Sequence, residues 1–215
     1  ATPGLSQNMN LSFTYISGNS EFMFLRGHYR IDYTSKSNWY VFFVTKYDRA
    51  FEKSEDDFSN KGFGQLRAVK QVFFRIQVES FLQKEFNYFI DLENREIIGG
   101  NVRFNPFKKF FIATGAMHEK EVYQSEEEQN FMKSTSYINY SVQLLENVSI
   151  ENILYYQFEF NTIDHYRILW DGKLSFQGSN WFSFYIKCNY RYDVSEINPG
   201  GNSYFEISNG LGFQF

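Results

Sequence analysis

Three histidines, one cysteine and a set of charges at alternate positions are the groups in this chain that could do chemistry. A hydrolase built on His28, His118 or His165 needs a serine within reach of the imidazole and a third group to orient the ring. A phospholipase-type barrel would gather Ser, His and Asn on its outer face near the rim. His118 and His165 could sit near a rim, but no serine motif accompanies either. A rim protease would set a histidine among acidic residues. Glu119, Glu121, Glu126, Glu127 and Glu128 read as an acidic loop without such a pattern. That loop and Glu55-Asp56-Asp57 could bind divalent cations through carboxylate oxygens, but neither has the spaced Asp/Asn/Gly pattern of a calcium loop. A solvated acidic surface, or cation bridging to lipopolysaccharide phosphates, is the plainer expectation. Cys188 is alone, so neither an intrachain disulfide nor a cysteine metal cluster can form. The expectation is a chain with no enzymatic activity, no catalytic residues, no cofactor and no metal.

The charges are the more informative set. Arg26, Arg30, Arg67, Arg103, Arg167, Lys173, Lys187 and Arg191 alternate with apolar neighbours. So do Asp32, Glu79, Glu85, Glu151, Glu159, Asp171 and Glu206. Side chains alternate across a strand with period two, so such residues share one face of a sheet. Twelve strands are predicted to position them, at about 9–17, 20–34, 37–50, 62–70, 74–88, 94–105, 109–121, 129–144, 148–161, 165–177, 180–193 and 202–215, with ten or fourteen as alternative counts. Short connections near Thr34–Ser37, Lys70–Phe74, Asn105–Lys109, Leu145–Val148 and Gln177–Asn180 alternate with other, mostly longer ones. The longest are Phe51–Lys61, Lys120–Glu128 and Val194–Gly201. Short turns at one end and longer loops at the other are the pattern of an outer-membrane barrel.

Composition agrees. Aromatic residues are 21% of the chain, with 26 Phe and 16 Tyr, yet the mean hydropathy is -0.45. These conflict in a soluble globule and agree in a transmembrane barrel, where every second residue faces lipid. No apolar run approaches the roughly 18 residues of a helical span. The net charge of -4 leaves no basic stripe for nucleic acid. A soluble sandwich or lipocalin-like barrel is the alternative, with its apolar faces turned inward.

The chain closes on Ser208-Asn209-Gly210-Leu211-Gly212-Phe213-Gln214-Phe215. This polar-x-Gly-x-x-aromatic-x-aromatic pattern looks like the C-terminal signal read by the barrel-assembly machinery of Gram-negative bacteria, with Gly210, Phe213 and Phe215 as its key positions. Counting back from it places Phe205, Ile207 and Leu211 toward lipid and Glu206 inward. Phe182, Phe184, Ile186, Cys188, Tyr190 and Tyr192 face lipid in the preceding strand, and Trp170 and Leu174 in the one before. Met23, Leu25, Tyr29 and Ile31 do so in strand two. Strands three, five and seven show no clean parity.

Four stretches carry a family resemblance. Leu11-Ser-Phe-Thr-Tyr-Ile-Ser-Gly-Asn-Ser20 has an alternating strand followed by a Ser-Gly-Asn turn. Gly62-Phe63-Gly64-Gln65-Leu66-Arg67 has a glycine-aromatic-glycine strand, Arg95 to Phe104 a glycine-containing one, and Gly115 to Glu121 a strand ending in acids. In this order they resemble the uncharacterised family of salt-induced (YdiY-like) outer-membrane β-barrel proteins, with Ser20 in place of that family's usual Thr. The resemblance covers nearly the whole chain and implies a twelve-strand-like barrel without an established activity.

The expectation is therefore one transmembrane antiparallel up-and-down β-barrel domain over residues 1–215, in the bacterial outer membrane after removal of a signal peptide. Its lumen would be lined by Arg26, Arg30, Arg103, Arg167, Asp171, Lys173, Lys187, Arg191 and Glu206. Its partners would be outer-membrane lipid and lipopolysaccharide, the assembly machinery, and other proteins if it serves a complex. A narrow porin-like channel with charge rings is one reading. A plugged structural barrel, its charges paired across strands, is the other. A rim lipase or protease stands behind both.

Overall fold

The computed structural model describes residues 3–16, 22–52, 57–124, 127–179, 182–194 and 203–213. It has twelve strands: β1 (Gly4–Ile16), β2 (Phe22–Thr34), β3 (Trp39–Glu52), β4 (Asp57–Phe73), β5 (Ile76–Asn87), β6 (Leu92–Phe107), β7 (Phe110–Tyr123), β8 (Gln129–Leu145), β9 (Val148–Phe158), β10 (Tyr166–Gln177), β11 (Phe182–Asp193) and β12 (Ser203–Phe213). They form one sheet in sequential order, β1 through β12, and the pairings described are all antiparallel. Among the described residues no ladder joins β12 back to β1. No helix among them is long and apolar enough to cross a membrane.

Tight connections occur at both ends of the strands. Asn38 and Lys109 close their turns with φ of 62°, and Asp91 follows a short 3-10 turn at Tyr88–Ile90 with φ of 56°. This left-handed region is uncommon outside glycine and is most tolerated by Asn and Asp. The Ser17-Gly-Asn-Ser turn, Glu55 and Asp56, the connection before β12, Gln214 and Phe215 lie outside the described residues.

Three expected boundaries move. β1 begins at Gly4 rather than near 9, and β4 spans Asp57–Phe73 rather than 62–70. The expected long connection Phe51–Lys61 shrinks to 53–56. Polar residues such as Asn60 and Lys61 end the hydrophobic alternation without ending the backbone ladder, and Lys61 pairs with Asp48 opposite it at 3.6 Å. β7 runs on to Tyr123, so Glu119 and Glu121 belong to a strand and not to an acidic loop.

Two compact units share the sheet. One comprises residues 1–71, 79–100 and 117–131; the other comprises 72–78, 101–116 and 132–215. In the second, ladder rows show how period two sorts the sequence. Leu154, Trp170, Tyr190 and Phe205 stand side by side across β9 to β12. The adjacent row on the opposite face is Ile153, Asp171, Asn189 and Glu206. In the first unit Ile31, Phe43 and Leu66 form one row, and Asp32, Phe42 and Arg67 lie next to it on the other face.

Burial is inverted relative to a water-soluble protein. Leu66, Leu82, Ile98, Leu154 and Phe205 are exposed, whereas Arg67, Glu79, Arg95, Glu119, Arg167 and Asp193 are buried. A soluble sandwich does the opposite, because exposed apolar area in water is unfavourable. Hydrocarbon removes that penalty, so the apolar face is one made to meet lipid. Strands three, five and seven, without clean parity in sequence, follow the same rule. Phe43 and Tyr47 on β3, Val78 and Leu82 on β5, and Ile112 on β7 are exposed; Glu79, Phe81, Met117 and Glu119 at the alternate positions are buried. Phe81, Ile97 and Met117 pack together among the buried charges.

Candidate functional site

The candidate site is the charged face. On the first unit Arg30 Nη2 lies 2.7 Å from an Asp32 carboxylate oxygen two residues along β2. The Tyr40 hydroxyl, on the neighbouring β3, accepts from Arg30 at 2.7 Å and donates to Asp32. Phe42 presents its ring face 4.1 Å beneath the same guanidinium. Arg67 Nη1 reaches Glu79 Oε1 at 3.3 Å and stacks 4.9 Å over Phe81. Aromatic faces hold a guanidinium flat while its edge pairs with carboxylate.

Arg95 is the most crowded cation. Its Nη1 is 2.5 Å from Glu85 Oε1, and its Nε is 3.1 Å from Glu119 Oε1 and 2.5 Å from Glu121 Oε1. Tyr123 takes a fourth, longer contact of 3.4 Å. Arg95 is 1% exposed and Glu119 0%, so this group is held almost out of water. Buried charge is tolerated only when paired and hydrogen-bonded. Arg95 is absent from the sequence-based set of inward charges. Arg95 repeats the parity of Ile97, and Glu119 and Glu121 that of Met117, and these apolar residues on the charged face hide the pattern in the sequence. Glu128 lies beyond β7 and is exposed. Its carboxyl is held below the ordinary range by hydrogen bonds from Lys120 and then from Asn130.

On the second unit Arg167 pairs with Asp193 in a buried bond, and Arg191 approaches the same carboxylate at 3.6 Å. Lys133 lies 3.9 Å from Glu159, which His165 Nδ1 approaches at 3.6 Å. Arg103 stacks 4.2 Å over Phe111. A wetter group lies elsewhere on this face. Lys173 and Lys187 stand directly opposite one another on β10 and β11, in a row that also holds Glu151 and Ser208. Both ammoniums lie over the Tyr185 ring, at 5.5 and 5.0 Å, and Lys173 is 3.9 Å from Glu151. Asp171 and Glu206 share the next row and Arg26 faces Asp48 across β2 and β3. Each of the nine lumen candidates thus sits on the charged face. They fall into separate groups, and no single constellation gathers them.

The histidines are scattered. His28 stands opposite Lys46 on the charged face. His118 is exposed on the apolar face, between buried Met117 and Glu119. Neither His118 nor His165 has a serine or threonine hydroxyl as hydrogen-bond partner among the described residues. Cys188 stands opposite Gly172 and Ile207 on the apolar face, as a free thiol. Gly210 faces Tyr185 across β11 and β12, and Phe213 ends β12 opposite Phe182.

The fold matches solved outer-membrane barrels. The NanC porin aligns with 98% of this chain and 99% of its own, with a TM-score of 0.57 and 10% identity. The translocator domain of the autotransporter NalP from Neisseria meningitidis aligns with 98% of this chain and 87% of its own, with a TM-score of 0.52 and 10% identity. At such identities the likeness is one of fold: an all-β, antiparallel, up-and-down outer-membrane β-barrel. No curated protein matches the chain. Residues 9–215 match the family described as a protein of unknown function, DUF481, and the chain belongs to that family of uncharacterised barrel proteins.

Proposed function

We propose that this chain spans the outer membrane as a closed barrel whose charged face lines a narrow polar passage for small hydrophilic solutes, and that it carries out no catalysis. The carrying observation is the pair Lys173 and Lys187. Like charges directly opposite on one face are destabilising, and these two are half-exposed or exposed. Glu151, opposite Lys173 on β9, tempers that repulsion from 3.9 Å and is itself exposed, so the group stays wet where the pair of Arg67 and Glu79 is dry. Wet, same-sign ammoniums suit a surface that meets passing ions. Planar bilayer recording tests the reading. The folded protein should give discrete conductance steps, and Lys173→Glu or Lys187→Glu should shift the preference between small cations and anions. A silent bilayer with correctly folded protein overturns it.

The second reading, a plugged barrel acting structurally or as a subunit of a complex, is favoured by the Arg95 and Arg167 groups. Their closed, dry pairs resemble struts more than a pore lining. On this reading Arg95→Gln would open conductance in an otherwise silent protein. A hydrolytic activity on phospholipid or peptide, lost on replacing His118 or His165, would refute both. Membrane lipid, lipopolysaccharide and the assembly machinery are the partners the reading requires.

A further inference from the structure

The apolar face is interrupted at one place. Along β5 the outward positions pass from Leu82 to Lys84, along β6 from Ile98 back to Glu96, and on β7 they hold His118 and Lys120. Lys84 Nζ is 2.7 Å from Glu96 Oε1, and Lys120, itself 2.6 Å from Glu128, also acts on Glu96 electrostatically. One step beyond Lys84, Phe86 lies over Gly62 and against Tyr88, with ring centroids 5.2 Å apart. Charges therefore stand between two apolar levels of a face made to meet hydrocarbon. An ionisable side chain in that setting is costly unless a partner satisfies it.

Beside these charges lies a groove of about 580 Å³. Phe43, Leu66, Leu82 and Ile98 form its apolar walls, and Lys84, Glu96, His118 and Lys120 close one end. Its floor is open at Gly64, where an added Cβ would meet nothing within 4 Å. The volume suits a small amphiphile. The closing group has two ammoniums and an imidazole; Glu96 in the lining pairs with Lys84, and Glu128, outside the lining, pairs with Lys120. Each ammonium has three N–H donors, so pairing with one glutamate leaves others for a second acceptor.

We propose that this groove binds one phosphate-bearing membrane lipid. An acyl chain lies against Phe43, Leu66 and Ile98, and the phosphate takes donors from Lys84, Lys120 and His118. The inference rests on the apolar face meeting lipid, and it holds whether or not the lumen conducts.

Native mass spectrometry of the folded full chain in maltoside detergent tests it, with phosphatidylglycerol, diacylglycerol of the same chains, or inorganic phosphate added. One phosphatidylglycerol should be retained per chain, and neither diacylglycerol nor phosphate alone should replace it. The Lys84→Gln/Lys120→Gln pair should weaken retention by about tenfold or more. Gly64→Leu, which fills the groove without a steric conflict at its Cβ, should do the same. If the double variant fails to fold, Lys84→Gln alone decides, because that side chain is 70% exposed and outside the buried pairs. Equal retention of diacylglycerol, unchanged retention in the folded variants, or a second protein chain that phosphatidylglycerol cannot displace would each overturn the proposal. Heat-modifiable gel migration separates this outcome from failure of the barrel reading, since a chain that is no barrel shows no shift in any variant.

Discussion

Tyr185 occupies the space that a side chain at Gly210 would need. A Cβ built on Gly210 would lie 2.5 Å from the Tyr185 hydroxyl oxygen and 2.6 Å from Cζ. The glycine of the C-terminal motif thus serves as the bed for a ring that carries two lysine ammoniums.

Gly210→Ala should therefore displace the ring, because the obstructing atoms are the far end of a mobile side chain. Loss of two cation–π contacts at wet sites predicts a cost of about 1 kcal/mol in urea unfolding of the folded protein. In a Tyr185→Ser background the same substitution should cost nothing. That non-additivity identifies the ring as the cause; equal costs in both backgrounds would show that Gly210 matters for another reason.

Arg95→Gln leaves Glu85, Glu119 and Glu121 facing one another with their shared cation gone. The expected loss is about 3–5 kcal/mol, the usual consequence of stripping one partner from a buried ionic group. Adding Glu121→Gln should recover part of it. Lys84→Gln, at an exposed pair, should change stability by less than about 1 kcal/mol. Urea midpoints for the four chains provide the comparison, and a mild Arg95→Gln would mean that water reaches this group.

Cys188 reports the register of β11 directly. Standing beside Ile207 and Gly172 on the apolar face, it should resist a charged, membrane-impermeant maleimide in intact membranes and react with an apolar one. Rapid labelling by the charged reagent would move the strand by one residue and turn every one of its side chains to the other face.

The end of β12 should direct assembly. Phe213→Asp sets an acid on a strand end, opposite Phe182, and breaks the terminal aromatic pattern expected to act as the assembly signal. Deleting Phe215 removes the final residue of that pattern. Both chains should accumulate in the periplasm, as fractionation would show, and normal insertion of both would refute the signal.

What could be read from sequence follows from how locally each property is encoded. β10 to β12 alternate with few exceptions, so Trp170, Cys188 and Phe205 could be assigned faces by counting alone. β5 and β7 resisted because their charged face holds Phe81 and Met117, while their apolar face holds Lys84, His118 and Lys120. Two mixed faces cancel the periodic signal. The Arg95 group was missed for a different reason. Its members come from three strands, and nothing along the chain says that Arg95 will lie among Glu85, Glu119 and Glu121. The run of acids after His118 looked like a loop because acidity is ordinarily a mark of solvent; here a guanidinium replaces the water.

The inverted burial has a consequence for the chain before it folds. Leu154, Trp170, Tyr190 and Phe205 come from four separate segments, each diluted by polar neighbours, and become a continuous greasy band only when ladders set them side by side. A translocase that senses greasiness along a thread finds no stretch here worth retaining. Affinity for a bilayer is therefore a property that the polypeptide acquires late, by pairing: a polar thread before the ladders form, a lipid-loving wall after.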